Sequence, residues 1–278
     1  MLCSVNYQKG FDIVGTSGEI GAIEEFYFDD EQSAVRYIIV NTGSRPSDRQ
    51  VLISPFSVTH VDRDNRKLHV SLTQDQVKKS PNIDTHKPVS RQIEATHSEY
   101  YGYSYYWGGP FLWGATERPI LASQESATAK AATAMSISAA HPSAKAVTAT
   151  GRLSTVETIA DMRVTSADVH LRSTNEVASY HIAATDGEIG HVEDFILEDD
   201  SWAIRYLAIN TRNWLPGKKV IVSLQQISLI DRVKNKVHVN LSREQIKRSP
   251  EYDISKLISL EFERELDRYY SQTHFWLN

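Results

Sequence analysis

Short apolar runs separated by turn residues fill the first third of the chain and recur near its end. Residues 20–28 and 189–197 are rich in β-branched and aromatic residues, and each run stops at an acidic turn, as strands commonly do. Residues 34–40 and 203–209 are almost continuously apolar, which is typical of strands covered on both faces. With the shorter runs that follow, roughly five or six strands fall within about 70 residues. The pattern predicts a mainly β fold built on small barrels, because closure removes the exposed edges of a flat sheet.

Two pairs of glycines stand at the starts of the longest runs, in the motif GEIG. Gly18 and Gly187 are the second residues of hairpin-type dipeptides, where glycine takes the positive φ that a tight turn requires. Gly21 and Gly190 follow in the same motif. We predict that these four glycines shape the turns that lead into the long strands.

Helical signals come after the strands. Residues 73–76 and 242–245 both have the pattern of a capping box, in which the hydroxyl and the glutamine side chain each accept a hydrogen bond from a backbone amide. Pro81 and Pro250 then end these short helices, because proline cannot donate a backbone hydrogen bond. A second helix is expected after each, and residues 257–270 show the mixed apolar and charged face of an amphipathic helix.

The two sets of elements are copies of one another. Residues 16–42 align without a gap on residues 185–211, and the same shift continues through the capped helices to Trp107 and Trp276. Over the whole match there are about 36 identities in about 106 pairs, far more than chance gives for so long an ungapped alignment. The chain is therefore expected to contain two tandem barrels, and positions that match between the copies report mainly on the common fold.

The pattern divides the chain into five segments. We predict a first barrel at residues 1–84, a helix with an aromatic extension at 85–116, a linker at 117–165, a second barrel at 166–255, and a helix with an aromatic tail at 256–278. Residues 122–150 are mostly Ala, Ser and Thr, a composition that buries too little apolar area to offset its ordering entropy. The linker is expected to be a flexible tether that lets two barrels engage one assembly at raised effective concentration.

Charge and composition narrow the range of partners. Among 278 residues there are 30 Lys and Arg against 35 Asp and Glu, so no overall basic surface for nucleic acid is expected. The one cysteine, Cys3, excludes an intramolecular disulfide. The chain has no signal-peptide pattern at its start and no apolar run long enough to span a membrane. We expect a cytoplasmic protein that binds protein and no nucleic acid, with peripheral membrane contact and self-association left open.

Candidate chemistry is sparse. The ten histidines show no compact metal-ligand spacing, and no nucleophile motif or phosphate-binding loop occurs. The acidic turns at 29–31 and 198–200 are expected to be ordinary hairpin turns rather than cation sites, since they lack the ligand alternation of a calcium loop. His69 and His238 occupy matching strand positions and are expected to face solvent rather than form a metal or proton switch. We predict no catalytic residue, metal or cofactor, and no enzymatic activity.

Arg36 and Arg205 interrupt the most apolar runs. A buried arginine without a partner would be costly, so each is expected to pair with a strand carboxylate. The sequence favours Glu25 for Arg36 and Asp194 for Arg205.

Residues 100–114 hold eight aromatic residues and no charge. Aromatic residues without nearby cations are poor platforms for nucleic acid, which leaves packing against the segment's own barrel or the other copy, or an exposed patch for a partner or membrane. The interaction candidates are Tyr100, Tyr101, Tyr103, Tyr105, Tyr106, Trp107, Phe111 and Trp113, with Tyr269, Tyr270 and Trp276 in the second copy.

The two copies resemble the PRC-barrel family. The resemblance lies in GEIGAIEEFYFDDEQSAVRYIIVNTG and GEIGHVEDFILEDDSWAIRYLAINT, each followed by short strands, a capped helix and the pattern SPxxD. Related barrels occur in the cytoplasmic part of the photosynthetic reaction-centre H subunit and at the C-terminus of a ribosome-maturation factor, and both have binding roles. The resemblance implies two tandem PRC-type barrels in a non-enzymatic protein-interaction or assembly module. The alternatives are a peripheral accessory protein of a membrane complex, such as a photosynthetic one, and a small-molecule binder or enzyme, which no motif supports.

Overall fold

The computed structural model describes residues 1–43, 49–81, 89–120, 171–211, 218–253 and 258–274. The chain forms two compact units. The barrel unit consists of residues 1–78 and 170–278, and the aromatic unit consists of residues 79–169. The predicted linker lies almost wholly outside the described residues.

The barrel unit contains two seven-stranded sheets. The strands of the first copy are β1 (Leu2–Ser4), β2 (Asp12–Gly15), β3 (Gly18–Asp29), β4 (Ala34–Asn41), β5 (Gln50–Ile53), β6 (Val58–Asp62) and β7 (Lys67–Val70). Those of the second copy are β8 (Leu171–Ser173), β9 (His181–Ala184), β10 (Gly187–Glu198), β11 (Ile204–Asn210), β12 (Lys219–Ser223), β13 (Ile227–Asp231) and β14 (Lys236–Val239). The mainly β fold with two tandem barrel domains is confirmed.

The two sheets have the same order. It runs β5-β4-β3-β2-β7-β6 in one sheet and β12-β11-β10-β9-β14-β13 in the other. The β2–β7 and β9–β14 pairs are parallel, and the other pairs in these paths are antiparallel. The twelve-residue strands β3 and β10 each pair with two neighbouring strands, β3 with β2 and β4 and β10 with β9 and β11.

The seventh strand of each sheet comes from the other copy. Leu2–Ser4 pairs antiparallel with β10 of the second copy, and Leu171–Ser173 pairs antiparallel with β3 of the first. The exchange is reciprocal, since the two short strands occupy matching positions in the repeat. The barrels are therefore not independent modules on a tether, because each one contains a strand of its neighbour.

A second backbone contact joins the copies at Ala34 and Ala203, which form an antiparallel bridge. The amide of Val35 donates to the carbonyl of Trp202 at 2.9 Å, and the amide of Ile204 donates to the carbonyl of Ser33 at 2.7 Å. Val35 matches Ile204 in the repeat, and Ser33 matches Trp202, so the two hydrogen bonds are equivalent. At this bridge the two copies are therefore related by a local two-fold symmetry.

Apolar side chains fill the core that each sheet encloses, and apolar contacts continue from one copy to the other. Phe26 and Ile38 are fully buried in the first copy, and Phe195 and Leu207 lie at the matching positions of the second with 1% exposure each. The rings of Phe28 and Phe195 lie 5.2 Å apart and connect the two cores. Burial of apolar surface is the largest stabilising contribution to folding, so the copies share one hydrophobic core.

The predicted roles of the glycines hold only for one pair. Gly18 and Gly187 follow two-residue turns with φ of +130° and +134°. Gly21 and Gly190 lie inside β3 and β10 rather than in turns. A side chain at either position would collide with a backbone carbonyl of the adjacent strand, so these glycines permit the close approach of the two strands.

The helices agree with the sequence patterns. Both predicted capping boxes are present, at α2 (Gln74–Lys78) and α5 (Arg243–Arg248). The expected second helices are α3 (Arg91–Tyr101) in the aromatic unit and α6 (Leu260–His274) in the barrel unit. Single turns α1 (Val5–Gln8) and α4 (Thr174–Val177) follow the exchanged strands. Among the described residues, no helix has the length and apolar character needed to cross a membrane.

The shared core predicts that the two barrels unfold together. Leu207→Ala in the second copy and Ile38→Ala at the matching position of the first should each lower the free energy of unfolding by about 2–5 kcal/mol. Hydrogen exchange measured at increasing urea concentration should show the same loss of protection in both sheets for either variant. Loss of protection confined to the substituted copy would contradict the shared core.

Candidate functional site

The seam between the barrels, which comprises the exchanged strands β1 and β8 and the Ala34–Ala203 bridge, holds two hydroxyl–carboxylate pairs, one buried and one half-buried. The hydroxyl of Ser4 donates to the carboxylate of Asp194 in the other copy. The backbone amides of Asn6 and Phe195 donate to the same carboxylate at 3.1 and 2.8 Å. Asp194 is 1% exposed, and burial raises the pKa of its carboxyl despite these donors.

The matching pair lies on the other side of the seam. The hydroxyl of Ser173 donates to the carboxylate of Glu25 in the first copy. Burial is again the main cause that raises the pKa of this carboxyl, while the hydroxyl of Ser173 and the charge of Lys9 oppose the shift. The serines and the carboxylates occupy matching positions of the repeat, so each exchanged strand is fixed by the same polar contact.

The predicted partners of the two strand arginines were wrong. The guanidinium of Arg36 is fully buried and pairs with Asp29 at 3.4 Å, not with Glu25. Arg205 pairs with Glu198 at 3.2 Å, and its side chain is 53% exposed. The strand register explains both outcomes. Glu25 and Asp194 lie opposite Ile39 and Ala208, three residues beyond the arginines, and they accept hydrogen bonds from the exchanged strands instead.

Three ion pairs that involve two acidic residues, Asp199 and Asp30, also join the copies. Asp199 accepts from Arg63 and from the amino group of Met1. Burial of this carboxyl opposes its ionisation, but these two cations outweigh the burial and lower its pKa. At the matching position, Asp30 pairs with Arg172 at 2.9 Å. The acidic positions match between the copies, whereas the arginines that bind them come from different places in the repeat.

A cavity of about 140 Å³ opens at the seam. The first copy contributes Phe28, Asp30, Glu31 and Ser33 to its lining. The second copy contributes Phe195, Ile204, Leu207, Leu224, Ile227 and Ile230. Its lining thus combines apolar side chains with a polar edge that includes two acidic residues.

The aromatic unit is organised by a buried charge on α3. The guanidinium of Arg91 lies 3.2 Å from the carboxylate of Glu94, which is fully buried. The hydroxyl of Tyr106 donates to Glu94 at 2.7 Å and accepts from Arg91 at 2.8 Å. This network folds residues 103–114 back onto the helix, which ends at Gly102 in a left-handed conformation.

The aromatic candidates of this unit divide into buried and accessible groups. Tyr106 and Trp113 are buried, at 4% and 1% exposure. Tyr101 and Tyr103 stack with rings 5.4 Å apart, and their side chains are half-buried. The structure therefore supports neither extreme of the sequence interpretation, since the segment packs on its own helix and still exposes part of its aromatic surface.

The accessible group forms an aromatic shelf, which we define as Tyr100, Tyr105, Trp107 and Phe111. Tyr100 and Phe111 are 41% and 45% exposed, and the other two are half-buried. The rings of Tyr105 and Trp107 stack 4.7 Å apart. The hydroxyl of Tyr105 donates to Glu99 at 3.0 Å, and the guanidinium of Arg91 lies 4.3 Å from the ring centre of Trp107. Tyr105 and Trp107 are thus each held by a polar or cation–π contact as well as by their mutual stacking.

The C-terminal candidates have structural contacts. Tyr270 is 5% exposed, and its hydroxyl donates to the carbonyl of Ile221 in β12. The hydroxyl of Tyr269 donates to the carbonyl of Gln245 at 2.5 Å. These contacts attach α6 to the second barrel. Trp276 lies outside the described residues.

Histidines and acidic residues do not assemble into a metal centre within the described ranges, where no group of three or more potential ligands occurs. His60 and His69 are cross-strand neighbours with rings 6.0 Å apart. The expectation of no enzymatic activity stays a prediction.

Sequence reasoning missed the seam entirely. Its polar anchors are ordinary serines in two three-residue strands, and a pairing between residues in different copies of the repeat leaves no local pattern. One signal was available, because the alignment of the copies places Ser33 opposite Trp202, one of its largest changes in side-chain volume.

Comparison with known proteins agrees with the repeat. The family model described as PRC-barrel domain matches residues 8–77 and, separately, residues 182–246. Both matches begin after the exchanged strands. No curated protein matches the chain.

The raised pKa of Asp194 predicts an unusual dependence of stability on pH. Its folded-state pKa lies above the unfolded value, so its contribution to stability is present below pH about 4 and is lost as the pH rises. Asp194→Asn stays neutral and lacks this dependence. The free energy of unfolding of the wild type relative to this variant, from urea titrations, should therefore fall as the pH rises from about 4 to about 7.

Asp199→Asn is the matched control. The pKa of Asp199 is lowered, so the advantage of the wild type over that variant should be present above pH about 4 and be lost as the pH falls. The same sign of pH dependence for both variants would contradict the assignment of Asp194 as a carboxyl whose ionisation is opposed by burial.

Proposed function

Since the chain is a tandem PRC-barrel protein, we propose that it is a non-enzymatic protein-interaction module whose contact surface is the aromatic shelf. The observation that carries the proposal is the partial exposure of Tyr100, Tyr105, Trp107 and Phe111, of which Tyr105 and Trp107 are held in place by their neighbours. Tyrosine and tryptophan are enriched among the residues that supply most of the binding energy at protein interfaces.

Preorganisation supports this role. Binding costs less free energy when the contacting side chains are already ordered. Tyr105 is fixed by Glu99 and Trp107 by Arg91, so a partner would meet these rings in their bound positions. Two χ angles per ring also keep the entropy loss small. We propose a partner that presents an apolar, hydrogen-bonding surface, because the shelf combines ring faces with tyrosine hydroxyls.

The strand exchange at the seam determines the role of the barrels in the proposed function. Two barrels that share strands act as one rigid body with a fixed separation, rather than as two modules with a variable spacing. In this proposal the barrel unit is a scaffold, and the gain from bivalency that a flexible tether would provide between the barrels does not apply.

The shelf also favours a second candidate function, peripheral association with a membrane complex. Tyrosine and tryptophan are enriched at membrane–water interfaces, where one part of the side chain is apolar and the other is wet. In this candidate Phe111 enters the interface and the tyrosine hydroxyls remain at its surface. Flotation of the full chain with phosphatidylcholine vesicles containing anionic lipid distinguishes the two functions, since a purely protein-binding shelf leaves the chain unbound.

The main proposal predicts the loss of a partner on truncation of the shelf. The double substitution Tyr100→Ala and Phe111→Ala removes the two most exposed rings without touching the Arg91–Glu94 network. In-cell crosslinking with mass spectrometry should capture a specific protein with the wild type. The amount of that protein captured with the double variant should be lower by a factor of about ten or more. The control is Leu229→Ala, which truncates a side chain of 55% exposure on the barrel unit and should keep the partner.

The result can contradict the proposal in two ways. Equal capture by the wild type and the shelf variant would exclude the shelf as the contact surface. Specific capture lost in the Leu229→Ala control but not in the shelf variant would move the contact surface to the barrel unit.

A further inference from the structure

The local two-fold relation allows the two sides of the seam to be compared residue by residue. Ser33 and Trp202 occupy matching positions next to the Ala34–Ala203 bridge. Both have the left-handed backbone conformation, with φ of +56° and +59°. Their carbonyls accept equivalent hydrogen bonds from the opposite copy. The backbone is therefore the same at both positions, and only the side chain differs.

Trp202 fills its side of the seam. Its side chain is 2% exposed, and its ring centre lies 6.4 Å from that of Phe26 in the first copy. Phe26 is fully buried. An indole from the second copy therefore lies against the core of the first barrel.

Ser33 leaves the matching place open. It lines the 140 Å³ cavity beside Phe195, the counterpart of Phe26 in the repeat. Ile204, Leu207 and Ile227 form the other apolar walls. Protein interiors are close-packed, and an apolar cavity of about 150 Å³ is large enough to hold a benzene molecule. The cavity thus lies where the second barrel would need a ring equivalent to the indole of Trp202, which fills the matching place in the first barrel.

The polar edge of the cavity limits the charge of its occupant. Asp30 and Glu31 lie at the edge, and Asp30 is engaged with Arg172. A carboxylate-lined opening disfavours an anion, whereas it favours a neutral N–H or O–H donor or a cation. The occupant would meet ring faces inside and acceptor oxygens at the opening.

We propose that the seam cavity is a binding site for a small molecule that has one aromatic ring system and a neutral or cationic donor group. The ligand takes the place in the second barrel that the indole of Trp202 takes in the first. The site is independent of the aromatic shelf, because it lies in the barrel unit.

Indole is the probe that tests the site, and the variants follow from the repeat. Ser33→Trp fills the cavity with the side chain that the matching position already accepts in the same backbone conformation. Ser33→Ala is its control, since it leaves the cavity open. With the full chain, indole should shift the methyl NMR signals of Ile204, Leu207 and Ile227 saturably in the wild type and in Ser33→Ala. In Ser33→Trp, the affinity should fall by about tenfold or more.

Charge selection is tested with indole-3-carboxylate, which has the same ring and a negative charge. It should bind about tenfold more weakly than indole, because its charge faces Asp30 and Glu31. Equal affinities for the two probes would contradict the assigned role of the acidic edge.

A reciprocal variant keeps the test decisive if Ser33→Trp does not fold. Trp202→Ser should open a second cavity next to Phe26 and raise the indole stoichiometry from one to two. The absence of saturable shifts at the cavity methyls in the wild type would overturn the proposal. Indole shifts of equal size in Ser33→Trp would also overturn it, because they would place the probe elsewhere.

Discussion

Each barrel is completed by a strand that belongs to the other copy, and the remaining features of the barrel unit depend on this exchange. Leu2–Ser4 lies against β10, and Leu171–Ser173 lies against β3. The backbone hydrogen bonds of two three-residue strands are few, and such short strands are marginal by themselves. They are held because each delivers a serine hydroxyl to a carboxylate of the other copy across the seam. Removing either partner of the Ser4–Asp194 pair would leave a buried polar group with one hydrogen bond fewer, which costs more than the bond contributes.

The exchange also converts a duplication into a single body with unequal halves. Two identical copies would give a symmetric seam, but the sequences have diverged where the copies meet. One side is filled by Trp202, and the other has Ser33 and a cavity. The acidic positions Asp30 and Asp199 bind cations from different parts of the repeat. A fused pair allows such divergence, because each half is stabilised by the other while one side of the seam changes.

Most of the fold follows from local patterns in the sequence. The alternation and length of the apolar runs predict the strands, and the hydroxyl–glutamine spacing predicts both capped helices because capping is a contact between residues three apart. Contacts that depend on register were not predictable in the same way. Arg36 pairs with Asp29 rather than Glu25 because the β3–β4 register places Glu25 three residues further along the partner strand. The aromatic segment 100–114 could be located in the sequence, but which of its rings are buried depends on how Arg91 and Glu94 fold the segment back onto α3.

The single cysteine provides the most direct test of the strand exchange. Cys3 lies opposite Leu197 in the β1–β10 register, and both side chains are buried. Directly opposed residues of an antiparallel pair come close to the separation that a disulfide requires. Oxidation of Leu197→Cys should give a monomer in which peptide mass spectrometry finds residue 3 joined to residue 197, whereas Ile196→Cys, which faces the other side of the strand, should not crosslink. A crosslink that joins two chains, or equal crosslinking of the two variants, would contradict an exchange within one molecule.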